Sequence, residues 1–151
     1  MEWLGKAVAA GYANVEQMRQ DDDLAALRDR LDFQKILAGL DNEAIIAARE
    51  AVRAEPENAE RRDRLKALLH GRAWALASDT DPSKRDPTQA VALAEEALAQ
   101  APRDARCWHT LGAARYRAGD FEGAIAALWK YREFRTDDAE WSNPFLLAMA
   151  R

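Results

Sequence analysis

The chain has one cysteine, Cys107, among its 151 residues, so it can close no internal disulfide and offers no cysteine set for a zinc site. Such usage fits a reducing, cytoplasmic compartment. No apolar run approaches the ~18 residues of a membrane helix. The opening residues, Met-Glu-Trp-Leu-Gly-Lys-Ala-Val-Ala-Ala, carry an early acid and too short an apolar stretch for a signal peptide, so the chain as it stands is expected to be neither secreted nor membrane-spanning. An excess of positive charge is missing too. The net charge of -4 and the pI near 5.3 remove the general attraction that favours DNA, RNA or an anionic membrane, and neither is an expected partner. Finally, β-branched residues nowhere alternate over a strand-length run, so no strand is expected.

What remains is a helix-forming composition. Hydrophobic residues make up 48% and charged residues 32%, dominated by Ala, Leu, Glu and Arg, which reads as an ordered all-α chain. Its organisation is periodic. The segment Asp86-Pro-Thr-Gln-Ala-Val-Ala-Leu-Ala-Glu-Glu-Ala-Leu aligns with Asp120-Phe-Glu-Gly-Ala-Ile-Ala-Ala-Leu-Trp-Lys-Tyr-Arg at an offset of 34, placing Ala90 over Ala124 and Ala94 over Leu128. Pro102-Arg-Asp-Ala separates one unit from the next, because proline ends a helix and Asp104 can cap the following one. A similar exit follows Glu43-Ala-Ile-Ile-Ala-Ala-Arg-Glu-Ala-Val-Arg-Ala at Pro56, which lies 46 residues before Pro102, twelve more than the period. The surplus falls between residues 59 and 86, where a long helix over 59–77 precedes a loop rich in Pro and Asx.

The first 40 residues are less regular. Trp3, Leu4, Ala7 and Val8 read as the tail of a helix closed by Gly11, Asn14 caps a short helix through Arg19, Asp21 to Asp23 form a polar break, and Asp32 to Leu40 form a helix with Phe33, Ile36, Leu37 and Leu40 inward. Asn143-Pro144 starts a last helix carrying Phe145, Leu146, Leu147 and Met149. About eight helices are expected, in segments 1–40, 41–104, 105–136 and 137–151. Both ends read as incomplete repeats. Two explanations follow: an excerpt of a longer array, or ends of two chains that complete each other in end-to-end self-association.

Residues 105–133 resemble one unit of a tetratricopeptide repeat (TPR), a pair of antiparallel helices A and B whose period is also 34. The resemblance implies an α-solenoid of TPR-like helix pairs wound as a right-handed superhelix. It gives Trp108 and Leu111 to the core, Gly112 to the close approach of helix B, Ala118-Gly119-Asp120 to the turn, and Phe121, Ala124 and Leu128 to the inward stripe of helix B. Tyr131 departs from the pattern where such repeats usually have alanine, and Thr136 stands near the usual exit proline. Two longer stretches are similar to TPR arrays of bacterial serine/threonine kinases and WD-repeat signalling proteins: Trp74-Ala-Leu-Ala through Asp81-Pro-Ser-Lys-Arg-Asp-Pro to Tyr116-Arg-Ala-Gly-Asp, and Gly11-Tyr through Met18-Arg-Gln-Asp-Asp-Asp-Leu to Phe33. That likeness implies a docking surface without activity of its own, either a scaffold for a peptide or protein or a regulatory spacer inside a larger signalling protein.

The resemblance further implies a groove lined by helix A residues Arg106, His109, Ala113, Tyr116 and Arg117, with Arg64, His70 or Trp74 added by the preceding helix A. Arginine and tyrosine are frequent interface anchors. A solvated helix face has much the same composition. Where chaperone-binding TPRs use Lys and Asn to hold a carboxylate, this unit has His109 and Ala113, which disfavours chaperone tails. His70 and His109 are the only histidines, and no activated serine or Gly-x-Ser-x-Gly turn accompanies them, so no catalytic residue is assigned and a metal-dependent hydrolase is the weakest alternative. Asp21-Asp-Asp and Asp79-Thr-Asp lack the glycine and the twelfth-position glutamate of a calcium loop and read as turns and caps. No cofactor or metal is expected. Of five tryptophans, Trp74 and Trp108 are most simply core, and Trp129 sits at a flank.

Overall fold

The computed structural model describes residues 3, 4, 6, 15–28 and 30–135. Among them are six α-helices, two short 3-10 helices and no strand. Two compact units divide at Glu55 and Pro56.

In the first unit, α1 (Val15–Gln20) is followed by a 3-10 turn (Asp22–Leu27) and by α2 (Leu31–Ala54). Asp21 caps the 3-10 turn by accepting from the Asp23 N–H at 3.0 Å, the polar-break role expected of that acidic run. Leu4, Met18, Leu24, Phe33, Leu37 and Leu40 make one buried cluster, with Val15, Leu27 and Ile36 packed on its edge. The two helices expected on either side of residue 40 are one helix of 24 residues. No proline interrupts it, and the buried positions continue from Leu40 to Ile45 and Ala48 on the same broad face, so packing carries the helix through Asp41-Asn42. This fusion is one reason the count is six rather than about eight. The readings at Ala7, Val8, Gly11, Asn14, Thr136 and residues 137–151 lie outside the described residues.

The second unit contains α3 (Ala59–Ser78), a 3-10 turn (Pro82–Lys84), α4 (Pro87–Gln100), α5 (Ala105–Ala118) and α6 (Phe121–Phe134). Each α-helix is opened by an Asx side chain: Asn58, Asp86, Asp104 and Asp120 accept from backbone N–H groups two or three residues on, at 2.9–3.2 Å. Helices α3 and α4 pack as one antiparallel hairpin, α5 and α6 as another, and α4 with α5 joins the two while α3 lies beside α5. Small residues set the spacing. Ala73, Ala77, Ala90, Ala94, Ala97, Ala114, Ala124 and Ala127 are buried between larger Leu65, Leu69, Leu111 and Leu128. Gly119, at φ 83°, ends α5 in the left-handed region, and its N–H reaches the Arg115 and Tyr116 carbonyls.

The twelve surplus residues divide evenly. Helix α3 has 20 residues where α5 has 14, and the connection 79–86 has eight where 119–120 has two. That connection is fastened by its own side chains: Asp79 and Asp81 accept from the backbone of Asp81 and Ser83, and Arg85 donates to the carbonyls of Asp79 and Thr80. Because Lys66 pairs with Asp104 and Trp74 meets His109, the start of α5 lies beside the middle of α3, and the first two turns of α3 project past it.

Three expected core residues lie elsewhere. Phe121 is 57% and Trp74 40% exposed, and Trp108 is half-buried, its indole N–H donating to the Pro102 carbonyl at 2.8 Å. In each case a large ring exceeds the space between helices brought together by alanine and glycine, and lies along the flank instead.

Candidate partner-binding face

Helical spacing sets Arg106, His109, Ala113, Tyr116 and Arg117 on one side of α5. The helix holds three arginines and a histidine and no carboxylate. Arg115 is turned to the other side, pairing with Glu95 of α4 at 2.8 Å and reaching the Gly123 carbonyl. Arg106 and Arg117 are exposed at the two ends of the face, Arg106 resting against its own cap, Asp104, at 3.5 Å. Eleven residues of helix separate them, about 16 Å.

Between these ends the surface is aromatic. His109 is half-buried, its ring 5.4 Å from Trp74 of α3 and 5.2 Å from Tyr131 of α6, so three helices contribute to one row. Arg135 lies over the Tyr131 ring at 5.3 Å. Tyr116 is half-buried and meets Phe121 edge-on at 5.5 Å. Ala113 is buried, 8% exposed, and offers a partner very little surface. Arg64 is exposed on α3. Sequence reasoning missed Tyr131 and Arg135. Tyr131 carried a signal, since it replaces a small residue at a position facing helix A.

The electrostatics keep the histidines neutral at pH 7. Burial pushes the pKa of His109 down, with nearby His70 adding to the effect. For His70, burial leads again, the Arg106 charge works in the same direction, Asp104 and a hydrogen bond with the Arg106 backbone oppose it, and Lys66 adds a smaller downward push. A histidine whose folded pKa lies below the unfolded value of ~6.5 binds protons more readily when unfolded. Stability is therefore present above pH 6.5 and lost as pH falls through the folded pKa. Melting temperature is expected to drop between pH 7 and pH 5, and His109→Gln should flatten that drop; an unchanged slope would place the proton uptake elsewhere.

No group of three His, Cys, Asp or Glu side chains among the described residues could hold a metal ion. Cys107 is buried, and burial, with Asp104 adding, pushes its thiol up to about 11, far from the thiolate form a nucleophile needs. No helix of the described residues is long and apolar enough to cross a membrane.

Stacked antiparallel helix hairpins, sharing a face built from their first helices, define α3–α6 as a helix-pair repeat array. Residues 83–143 match the family model of the tetratricopeptide repeat. The matched segment includes α4, α5 and α6. No curated protein matches the chain.

Proposed function

We propose that the helix pairs of the second unit form a non-catalytic scaffold that binds a peptide or protein segment along the α3–α5 face. Repeats of this kind act through extended surfaces built from successive units, and the TPR match supports that reading. The observation that carries it is the row Trp74–His109–Tyr131, a shared, partly exposed ring surface that crosses α5 at His109, between the positions of Arg106 and Arg117 along the helix. A segment with a central apolar side chain and flanking carboxylates complements it, since α5 itself supplies no acid. An extended chain rises about 3.3 Å per residue, so roughly five residues span the two arginines.

The test is a peptide selection against the whole chain, followed by anisotropy titration of the enriched peptides. Tyr116→Ala combined with Arg117→Glu should weaken them at least about tenfold, the scale of one hot-spot contact, with helicity unchanged. Undiminished binding by that variant would move the site off this face.

A further inference from the structure

Lys66 and His70 of α3 meet Asp104, Arg106 and His109 of α5 where the two helices adjoin. The carboxylates there are committed. Asp104 caps α5 and pairs with Lys66, and Asp63 holds Lys66 from its own helix at 3.2 Å. The Lys66 side chain is only 17% exposed and that of Arg106 is 77% exposed, so Arg106 is the cation a partner reaches. His70 lies beside it, half-buried and hydrogen-bonded with the Arg106 backbone. His109 is near His70, against Trp74 of α3 and Tyr131 of α6, whose ring carries Arg135. On α4, Glu95 is turned to Arg115 on the other side of α5. Arg106 and Lys66 therefore act on His70 against Asp104, and together with burial they keep the imidazole neutral at pH 7.

We infer that a carboxylate of the bound segment, received by Arg106, also draws a proton onto His70, so that binding at the α3–α5 face tightens on mild acidification. This rests on the scaffold role proposed above, and it gives the partner an acidic residue at the Arg106 end of the face. The incoming carboxylate acts twice. It offsets the guanidinium charge that opposes protonation, and its own charge attracts the imidazolium. Burial under the segment works the other way, but a hydrogen-bonded ion pair outweighs it, as Lys66 and Arg106 outweigh burial at Asp104. Linkage fixes the sign. A pKa higher in the complex than in the free chain means proton uptake on binding, so affinity rises as pH falls through the bound value and levels off below the free one. A single proton is expected, because a charged His70 opposes a second charge on nearby His109.

The probe is fluorescently labelled Glu-Glu-Leu-Glu-Glu with blocked ends, titrated against the full chain by anisotropy; its carboxylates stay ionised above about pH 5.5. Affinity should rise at least about threefold from about pH 7.5 to about pH 6, with no such rise for the Gln-Gln-Leu-Gln-Gln counterpart. In the parent chain, NMR of the imidazole nitrogens should find His70 titrating at a pH at least about 0.5 higher under saturating Glu probe. His70→Gln, which keeps a hydrogen-bonding amide, should reduce the ratio of the two affinities to under about 1.5. Equal affinity at both pH values overturns the inference and leaves the scaffold role standing, as does a pH dependence that survives His70→Gln. Failure of the Glu probe where peptides from the selection bind has the same meaning. Failure of the probe and of the selection together removes the scaffold role, and the inference with it.

Discussion

Gly112→Leu is expected to abolish the cooperative unfolding of the α5–α6 hairpin. A Cβ at residue 112 would lie 2.8 Å from Leu128 Cγ and 2.9 Å from its Cδ2, with the Ala124 carbonyl oxygen 3.5 Å away. The Cγ is the branch point of a buried leucine, so relief requires moving the side chain or separating the helices. Even Gly112→Ala, which gains about 1 kcal/mol in helix propensity, should lose more than that, because overpacking costs about 1–3 kcal/mol. Leucine adds three more carbons, and a loss above roughly 3 kcal/mol removes much of the stability of an ordinary domain. Gly71 is the internal control. A Cβ there meets nothing within 4 Å, so Gly71→Ala in α3 should stabilise the chain by up to about 1 kcal/mol. Urea unfolding of the three variants measures both signs, and Gly112→Ala matching Gly71→Ala would show that close approach does not set the hairpin's spacing.

Asp104→Ala should be the most damaging loss of a single surface-proximal side chain. Its carboxylate caps α5 through the Arg106 N–H at 3.0 Å and pairs with Lys66 of α3 at 3.2 Å, so one group starts a helix and fastens two hairpins together. Losing the cap costs about 1 kcal/mol. The 17% exposed Lys66 keeps only Asp63, raising the total to about 2–3 kcal/mol. Asp104→Asn separates the contributions, because asparagine caps as well as aspartate but carries no charge. It should recover about 1 kcal/mol of the loss. The pH dependence has a definite sign. Burial raises the Asp104 pKa, but hydrogen bonds from Lys66 and Arg106, with their charges, outweigh it and leave the carboxyl below its ordinary value of 3.8. A group depressed in this way contributes stability above its unfolded pKa, ~3.9, and loses it as pH falls through the folded value. For Lys66, burial lowers the pKa, but Asp63 and Asp104 together raise it above 10.5. That contribution is complete below the unfolded value and disappears only as pH rises through the folded one. Denaturation midpoints between pH 5 and pH 2 should therefore fall less steeply in Asp104→Asn than in the parent chain.

The parts legible in the sequence are those with local causes. Asx caps before Ala- and Leu-rich runs marked the starts of α3 to α6, and the positive-φ turn at Gly119 was visible as Ala-Gly-Asp. The join at residues 41–42 was not legible for the opposite reason: Asp and Asn favour turns over helix interiors, yet tertiary packing along Leu40, Ile45 and Ala48 carries the helix through. Of the proposed face, the α5 residues followed from helical spacing. The contributions of Trp74, Tyr131 and Arg135 depend on how α3 and α6 lie against α5, and Trp74 entered only as one of several residues on a helix of undetermined register. Exposure of Phe121 could not be read from its place in the repeat pattern, because that pattern records position along a helix and not whether a ring fits between two alanine-rich neighbours.

In the proposed binding mode, the unequal lengths of α3 and α5 bear on how a bound segment is phased. Helices of uniform length present the same surface again at every repeat, so an extended segment could settle in several equivalent frames. Six additional residues, about 9 Å of helix, make α3 unlike its neighbour and leave its first turns standing beyond the α5 cap. A segment running past Arg106 towards that end meets a side wall where a regular array would offer another copy of the same groove. The frames cease to be equivalent, and the array gains an origin from which position along it can be counted.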